Sequence, residues 1–507
     1  MGFRFLYQPY AAGRVCKVHA RGQDLNILIA CSEAVPYAKT GGLADVTGAL
    51  LREFRKERLN ASLILPLYSG IKQGFRLVRT GRTVRVPMGN FEIEGVIWTT
   101  DRRRQSETYF IECDPFFARP ELYGTGEGDY TDNALRYIFF SRAVLEACLA
   151  LDIAPDVIHC NDWQTAMVPL YLRTIYRANK RFRKTVSLLT VHNLGYQGIF
   201  DAGTMAYTGL GREFFVPEKL EFFGKLNFLK AGLLYADILN TVSPTSAREI
   251  LSPDQGFGLD GVLRMRESDL YGIINGIDPV EWDPTGDALL PANYTAGDLA
   301  GKHKCKAAFC REAGISDRKA PLLGMVSRLS SQKGIDLVLR AFDDLVSLGV
   351  TVAVLGRGDE AYQTALARKA QQHEGKVKIT IGFEEAGAHQ VYAASDFFLM
   401  PSLYEPCGIG QLIAMRYGTV PIARRTGGIA DTVDDLDHLR GTGSGILFQD
   451  MSPSAFLDAV KRALCVYRDP AYVNNLVRSS MSREFFWRDS AREYLALYRK
   501  SPKKAAP

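Results

Sequence analysis

The chain has 507 residues, of which 47% are hydrophobic and 23% are charged, so it is long enough for two or three domains with cores of their own. The formal net charge of +6 is small for this length, and it does not indicate nucleic acid as a partner. No uninterrupted apolar run approaches the ~18 residues that a membrane span requires, so we expect no membrane partner.

The nine cysteines include no C-x-x-C pair. Without paired spacings a zinc site is not indicated, and reduced thiols in a cytoplasmic protein are the simplest interpretation. Residues 1–24 are basic and carry one acid, Asp24, but they show no clear cleavage pattern. We interpret them as a short extension before the first strand.

The pattern of the first half is that of a doubly wound α/β domain. Residues 25–30 form a short apolar run, and Gly41 and Gly42 then precede a helical pattern. Lys39 lies just before this helix, where an ammonium can reach a phosphate, although a surface-loop lysine fits equally well. Alternating residues between 76 and 112 predict hairpins inserted into the βαβ order.

Three polar residues follow predicted parallel strands directly. Asp162 comes after the apolar residues 157–160, His192 after 186–191 and Ser243 after 236–242. Doubly wound domains bind their ligands at the carboxyl ends of their strands, so these positions are candidates for function. A buried structural histidine is the alternative for His192.

A segment rich in Gly, Asp and Pro, residues 252–283, is predicted to be the inter-domain hinge. After it the alternation of strands and helices restarts, which predicts a second doubly wound domain. The predicted division is an extension (1–24), a first domain (25–268), a second domain (269–480) and a terminal helix packing back on the first domain (481–507).

Residues 401–433 place a carboxylate, Glu405, beside two glycine-led helix starts. Gly408 and Gly410 open one helix, and the Thr426-Gly427-Gly428 run opens another. Free backbone N–H groups at helix N-termini suit a diphosphate, and a carboxylate accepts hydrogen bonds from sugar hydroxyls. Two ordinary βα turns that merely need glycine are the alternative.

Two cations flank a loop after the first strand of the second domain. Arg328 and Lys333 are placed to neutralise a leaving diphosphate without a metal, although a solvated loop explains them equally well in isolation. Asp435 and Asp437 have the spacing of a metal–diphosphate motif, but a solvated surface is the favoured interpretation.

Several sharper motifs are missing from the sequence. There is no G-x-x-x-x-G-K-[ST] loop, no G-x-S-x-G elbow and no H-E-x-x-H helix. Ala361 stands where the third glycine of a dinucleotide fingerprint is required. Two α/β domains that carry a pair of cations, glycine-led helix starts and a carboxylate would suit a sugar nucleotide.

Several motifs resemble those of the starch and glycogen synthases, the bacterial glycogen synthases above all. They are K-T-G-G-L-A-D-V at 39–46, H-C-N-D-W at 159–163, V-H-N at 191–193, N-G-I-D at 275–278, S-R-L and Q-K-G within 327–334, E-P-C-G at 405–408 and R-T-G-G at 425–428. The resemblance extends from about residue 25 to the final helices. It implies an α/β fold of the GT-B type, in which two Rossmann-like domains face each other across a cleft.

The resemblance also implies roles for individual residues. The catalytic set is His192 against the sugar, Arg328 and Lys333 at the diphosphate, and Glu405 at the glucose hydroxyls. Gly410 departs from the family, whose members often carry Thr or Ser there, so a side-chain contact at this position is in doubt. The implied substrate-binding residues are Lys39, Gly41, Gly42, Asp45, Asp162, Asn193, Asn275, Tyr404, Cys407, Gly408, Ile409, Gly410 and Thr426.

The implied reaction is transfer of glucose from ADP-glucose to the non-reducing end of an α-1,4-glucan with retention of configuration. No metal or other cofactor is expected, and the expected partners are the two substrates. The alternatives are another GT-B chemistry, such as UDP-sugar transfer or epimerisation, and a glucan-binding or regulatory protein with a degenerate site. The sequence leaves the oligomeric state open.

Overall fold

A computed structural model describes residues 25–100, 107–126, 128–382, 384–437 and 442–500. The predicted extension at 1–24 and the last residues, 501–507, lie outside the described part of the chain. Among the described residues, no helix combines the length and the apolar character that crossing a bilayer requires.

The first domain is built on a sheet that has nine strands within the described residues, in the order β14-β13-β9-β8-β1-β2-β5-β4-β3. These strands are β1 (Asn26–Ala30), β2 (Asn60–Pro66), β3 (Val78–Met88), β4 (Phe91–Thr99), β5 (Thr108–Glu112), β8 (Val157–Asn161), β9 (Val186–Val191), β13 (Ile238–Thr241) and β14 (Leu270–Gly272). Small hairpins add β6 (Gly124–Thr125), β7 (Gly128–Asp129), β10 (Ile199–Asp201), β11 (Glu221–Phe222) and β12 (Lys225–Asn227). The helices are α1 (Gly42–Lys56), α2 (Ser69–Gly74), α3 (Asp114–Phe117), α4 (Asn133–Ala150), α5 (Met167–Arg173), α6 (Phe228–Tyr235), α7 (Pro244–Glu249) and α8 (Asp260–Met265).

Strands β1, β2, β5, β8, β9, β13 and β14 pair in parallel, whereas β3 and β4 form an antiparallel hairpin at one edge. This confirms both the doubly wound pattern and the inserted hairpin. The parallel strands are buried on both faces, as their continuous apolar runs predict. Their carboxyl ends meet at one edge of the sheet, which therefore gathers the residues that follow β8, β9 and β13.

The second domain has a six-stranded parallel sheet in the order β17-β16-β15-β18-β19-β20 within the described residues. Its strands are β15 (Leu322–Val326), β16 (Thr351–Gly356), β17 (Val377–Ile381), β18 (Phe397–Met400), β19 (Val420–Arg424) and β20 (Ile446–Phe448). Its helices are α9 (Ala300–Glu312), α10 (Ile335–Ser347), α11 (Glu360–Gln372), α12 (Glu385–Ala394), α13 (Gly410–Arg416), α14 (Gly427–Thr432), α15 (Pro453–Tyr467) and α16 (Pro470–Met481).

The predicted hinge at 252–283 is too wide. Residues 260–272 form α8 and β14, and β14 pairs in parallel with β13, so these residues belong to the first domain. The division at residue 269 is wrong for the same reason, because Leu270–Gly272 extends the first sheet. Gly and Asp residues marked turns within this segment, but turns alone do not reveal which sheet a three-residue strand joins.

The terminal helix α17 (Trp487–Tyr498) packs on the first domain, where it contacts α1. The Tyr498 hydroxyl lies 2.8 Å from His159 Nδ1, and the Tyr494 hydroxyl lies 2.9 Å from the Asn240 amide. All four side chains are buried, so each polar group needs such a partner. The chain thus crosses between the domains twice, once after β14 and once before α17.

Two short helices, α7 and α14, join the domains through mutual capping. The backbone N–H and the hydroxyl of Thr245, at the start of α7, each donate to Asp431 of α14 at 2.7 Å. In return, Gly427 at the start of α14 donates its N–H to Glu249 of α7 at 3.0 Å, and Thr426 donates its hydroxyl to the same carboxylate. Each carboxylate satisfies backbone donors that a helix N-terminus leaves open.

Removing one of these caps is expected to weaken the junction. Asp431→Ala should lower the free energy of unfolding by about 1 kcal/mol, because the Thr245 donors lose their acceptor. Thermal unfolding followed by circular dichroism measures the effect. Asp458→Ala is the control, since that exposed carboxylate pairs with Lys461 on its own helix. Equal unfolding midpoints for the two variants would contradict the capping role.

Candidate active site

A cavity of about 480 Å³ lies between the carboxyl ends of the two parallel sheets. Both domains contribute to its walls, so neither domain alone forms it. The predicted residues that line it are His192, Arg328, Lys333, Glu405, Gly41, Gly42, Asp162, Asn193, Asn275, Cys407, Gly408 and Ile409.

Asp162 and His192 meet because β8 and β9 are neighbours in the sheet. Asp162 takes a left-handed backbone conformation, with φ of 54°, and its Oδ1 accepts the His192 backbone N–H at 2.7 Å. Asn161 donates its amide N–H₂ to the carbonyls of Ala30 and His159, so its Oδ1 faces His192 Nε2 at 3.0 Å. His192 Nε2 is therefore the protonated nitrogen, and Nδ1 is left as an acceptor.

Burial changes the charge state of both groups. It lowers the pKa of His192 to about 3, so the imidazole is neutral at physiological pH. Burial, with a smaller contribution from the nearby Glu33 charge, outweighs the backbone N–H groups of His192 and Asn193 and raises the pKa of the Asp162 carboxyl to about 7. Burial thus disfavours the charged forms of both His192 and Asp162 at the ends of β8 and β9.

The second domain contributes the cations. Lys333 Nζ lies 2.6 Å from Glu405 Oε2, and both side chains are largely buried. Ser402 donates to the same oxygen at 3.0 Å. Gly334 follows Lys333 in a left-handed conformation, and a Cβ there would lie 2.0 Å from the Pro401 carbonyl. Only glycine lets the turn that carries Lys333 approach the loop that carries Glu405.

Arg328 lies more openly at the same end of the cavity. Its guanidinium is 3.3 Å from the Tyr196 hydroxyl of the first domain and 3.5 Å from Gln332 Oε1. Among the described residues, no carboxylate pairs with Arg328 as Glu405 pairs with Lys333. An anion entering the cavity meets both cations from one side.

The two glycine-led helices have different surroundings. Residues 407–409, before α13, line the cavity. The start of α14 does not, because its N–H and the Thr426 hydroxyl donate to Glu249. The expectation that both helix ends open toward one ligand therefore holds for α13 alone in this structure.

Five predicted site residues lie outside the cavity lining. Lys39 forms an exposed ion pair with Asp45 at 2.7 Å. The Tyr404 ring contacts Phe257, with 5.3 Å between centroids. Thr426 is buried at the α7–α14 junction. Gly410 faces the core, where a Cβ would lie 3.1 Å from the Phe398 ring, so this chain has little room for the larger side chain that family members often carry.

The structure adds residues that the sequence did not suggest. Glu33, which is buried, accepts hydrogen bonds from the Thr40 N–H at 2.6 Å, from the Gly41 N–H at 3.2 Å and from the Tyr123 hydroxyl at 2.7 Å. It thereby holds the Gly41-Gly42 loop in place. Its position just after β1 is the same strand-end signal that pointed to Asp162. Tyr123 lies in an irregular segment that gave no signal.

Two buried amide oxygens in the cavity wall, Gln164 Oε1 and Asn275 Oδ1, have no hydrogen-bond partner among the described residues. Buried oxygens of this kind are normally satisfied, and each can only accept. Both oxygens are enclosed in the wall, so the side chains line the cavity but the oxygens themselves are not open to it.

Comparison with known proteins covers nearly the whole chain. Residues 26–265 match the family described as starch synthase catalytic domain, and residues 309–474 match glycosyl transferases group 1. A glycogen synthase from Syntrophotalea carbinolica is 45% identical over 479 residues, which is 94% of this chain and 99% of the relative. One from Thermodesulfovibrio yellowstonii is 43% identical over 490 residues, with 94% and 97% covered.

Solved structures agree with these sequence relatives. The catalytic domain of starch synthase IV from Arabidopsis thaliana, bound to ADP and acarbose, superposes with a TM-score of 0.87 at 33% identity, covering 95% of this chain and all of that one. A sucrose-phosphate synthase from Thermosynechococcus elongatus has a TM-score of 0.59 at 18% identity and shares the fold.

The raised pKa of Asp162 has a consequence for stability. Its native value of about 7 exceeds the ordinary ~3.9, so between these values the native chain holds a proton that the unfolded chain has lost. The contribution of Asp162 to the free energy of unfolding is therefore present at low pH and is lost as the pH rises through 7. Asp162→Asn keeps an acceptor for His192 and tolerates a positive φ. It should unfold at a higher temperature than wild type at pH 8, with the difference shrinking toward pH 5.

Differential scanning fluorimetry across this pH range measures the effect. The titration of His192 is common to both proteins, so it cancels from the difference. A midpoint difference that stays constant from pH 5 to pH 8 would show that Asp162 does not titrate in this way. Asp458→Asn, at an exposed position, controls for loss of a charge.

Proposed function

The chain belongs to the starch and glycogen synthase family of glycosyltransferases, and we propose that it lengthens an α-1,4-glucan by transferring glucose from ADP-glucose with retention of configuration. One observation carries the proposal. Arg328, Lys333 and the buried carboxylate of Glu405 line one cavity between the domains, together with the amide side chains of Gln164 and Asn275. This combination suits an anionic diphosphate joined to a sugar.

The nucleotide is assigned to the second-domain wall of the cavity. Arg328 and Lys333 take up the charge of the diphosphate, and the backbone of residues 407–409 supplies N–H donors beside them. The Arabidopsis starch synthase IV structure contains ADP, which supports an adenine nucleotide as donor. The acarbose in the same structure supports a glucan as acceptor.

The sugar is assigned to the space between Glu405 and the ends of β8 and β9. Glu405 accepts hydrogen bonds from glucose hydroxyls, and Gln164 and Asn275 line the same space. Asp162, His192 and Asn193 face the reacting carbon and the acceptor. Because His192 is neutral, it contacts the sugar without adding a positive charge.

The reaction proceeds through an oxocarbenium-like state, and its demand on the protein is charge stabilisation. A double displacement needs a free carboxylate at the anomeric carbon, but Glu405 is paired with Lys333, and Asp162 is committed to the backbone of residues 192 and 193. We therefore favour transfer on one face of the sugar. The bond between the anomeric carbon and the phosphate oxygen breaks, the acceptor 4-hydroxyl forms the new bond, and the departing phosphate oxygen takes its proton.

Transfer is proposed to need no metal ion, because Arg328 and Lys333 supply positive charge where the diphosphate departs. Asp435, the sequence candidate for a metal–diphosphate motif, accepts the Leu447 N–H at 2.7 Å and lies 3.4 Å from Arg462. Its carboxylate therefore serves the fold. Among the described residues, no group of three or more His, Cys, Asp or Glu is arranged to hold a metal.

Incorporation of labelled glucose into glycogen tests the donor and the cations together. Wild type is expected to use ADP-glucose in preference to UDP-glucose.

Lys333→Ala should lower kcat by about 10²–10³-fold, the usual effect of losing one transition-state donor. Lys461→Ala, at an exposed lysine on α15, is the matched control. A well-folded Lys333→Ala enzyme with near wild-type turnover would refute the assignment of Lys333.

A chelator provides a separate test of the metal-free proposal. Initial rates with ADP-glucose and glycogen should be the same in EDTA as in buffer containing Mg²⁺. Activity that disappears in EDTA and returns with added Mg²⁺ would contradict the proposal and return attention to Asp435 and Asp437.

A further inference from the structure

The turn of the β11–β12 hairpin holds an exposed aromatic residue, Phe223, at a position whose backbone conformation favours asparagine. Phe222 pairs with Lys225, which leaves a two-residue loop of Phe223 and Gly224. Both have positive φ, 50° and 78°, and loops of this kind strongly prefer Asn-Gly. Phe223 is 85% exposed, so packing within the chain does not compensate for the strain.

A second aromatic residue with a strained backbone, Phe257, lies beside this hairpin. Phe257 has φ of 49°, and its side chain is partly exposed. The next residue, Gly258, lies so close to the Phe222 ring that a Cβ there would be 3.0 Å from it. Phe222 and Phe223 contact each other with 4.7 Å between ring centroids. The two strained segments therefore form one surface.

This surface is continuous with the cavity. The Phe257 ring contacts Tyr404 at 5.3 Å between centroids, and Tyr404 precedes Glu405 in the chain. The Tyr404 hydroxyl lies next to Gly195, and the following residue, Tyr196, lines the cavity and is 52% exposed. This series of aromatic residues therefore ends at Tyr196, whose hydroxyl contacts Arg328.

A buried glutamine holds the pieces of this surface together. Gln197 donates to the Phe257 carbonyl at 3.0 Å and accepts from the Asn227 side chain at 2.6 Å. It joins the loop after β9, strand β12 and the Phe257 segment. The aromatic side chains are therefore mounted on a frame that is fixed relative to the cavity.

We propose that Phe223, Phe222, Phe257, Tyr404 and Tyr196 form an aromatic track that holds a long α-glucan whose reacting end lies in the cavity. The C–H groups on the face of a pyranose ring are attracted to the negative face of an aromatic ring, and the hydroxyls remain in water. Exposed, strained aromatic residues that lead to a site are expected of a ligand surface. That the occupant of the track is an α-glucan rests on the proposed function.

Phe223→Asn separates the glucan contact from the fold, because Asn suits the φ of this loop. It should keep or raise the thermal unfolding midpoint while weakening glycogen binding about tenfold, the effect of losing one aromatic contact. Phe223→Tyr keeps a ring and should bind like wild type. Val280→Ala is the control for loss of an exposed apolar side chain, since Val280 is 87% exposed and lies outside the track.

Two measurements are made on the full chain. Affinity gel electrophoresis in glycogen, without any donor, measures binding directly. Initial rates with saturating ADP-glucose then compare glycogen with maltotriose as acceptor. Phe223→Asn should raise the KM for glycogen and leave the KM for maltotriose unchanged, because a short acceptor ends before it reaches Phe223.

The outcomes distinguish this proposal from the proposed function. Glycogen mobility and KM that are unchanged in Phe223→Asn would overturn the track, while transfer by wild type would still stand. A wild type that transfers no glucose would refute the function, and the gel measurement would still decide whether the track binds glucan. Light scattering tests whether a second copy of the chain occupies this surface instead. If Phe223→Asn converts a dimer to a monomer and leaves glycogen binding unaltered, the track is also overturned.

Discussion

The buried contact between Lys333 and Glu405 is the interaction on which the cavity depends. Their loops follow β15 and β18, which are neighbouring parallel strands, so the two side chains reach the same point. Burying an ion pair costs about as much desolvation energy as the attraction returns, so such a pair is a poor source of stability. We interpret it as a positioning device, because it fixes an ammonium and a carboxylate at the wall where a diphosphate and a sugar are proposed to meet.

Close backbone packing makes this arrangement possible. Gly334 lets the Lys333 turn approach Pro401, and at Gly427 a Cβ would lie 1.9 Å from the Glu405 carbonyl. The opposite wall has a different character, because burial keeps His192 neutral and raises the pKa of Asp162. The two cations therefore lie on one side of the cavity, and the other side is the one to which we assign the reacting sugar and its acceptor in the proposed function.

The domains are held in this relation by two kinds of contact. The mutual caps between α7 and α14 satisfy backbone donors that a moving junction would otherwise expose. The terminal helix α17 returns to the first domain and buries two tyrosines there. The hairpin that carries Phe223 departs from its preferred turn sequence, which is the kind of local conflict that function, more than folding, accounts for.

The sequence by itself determined the two doubly wound domains and the residues at their strand ends. Apolar runs of strand length predicted β8 and β9, and the rule that ligands lie beyond such strands predicted Asp162 and His192. The glycine-led helix start pointed to Gly408, and the cation in a loop after a strand pointed to Lys333, in the same way. These are local signals, because periodicity and turn chemistry record which face of an element is buried and where it ends.

Only the tertiary structure decided which of the predicted residues face the cavity. Thr426 and Gly427 have the signature of an anion site, but Glu249, 178 residues from Gly427, occupies their donors. Tyr123 enters the cavity wall from an irregular segment without any motif of its own. The physical reason is that contacts between residues so far apart depend on how two domains pack, and no local pattern of the chain encodes that packing.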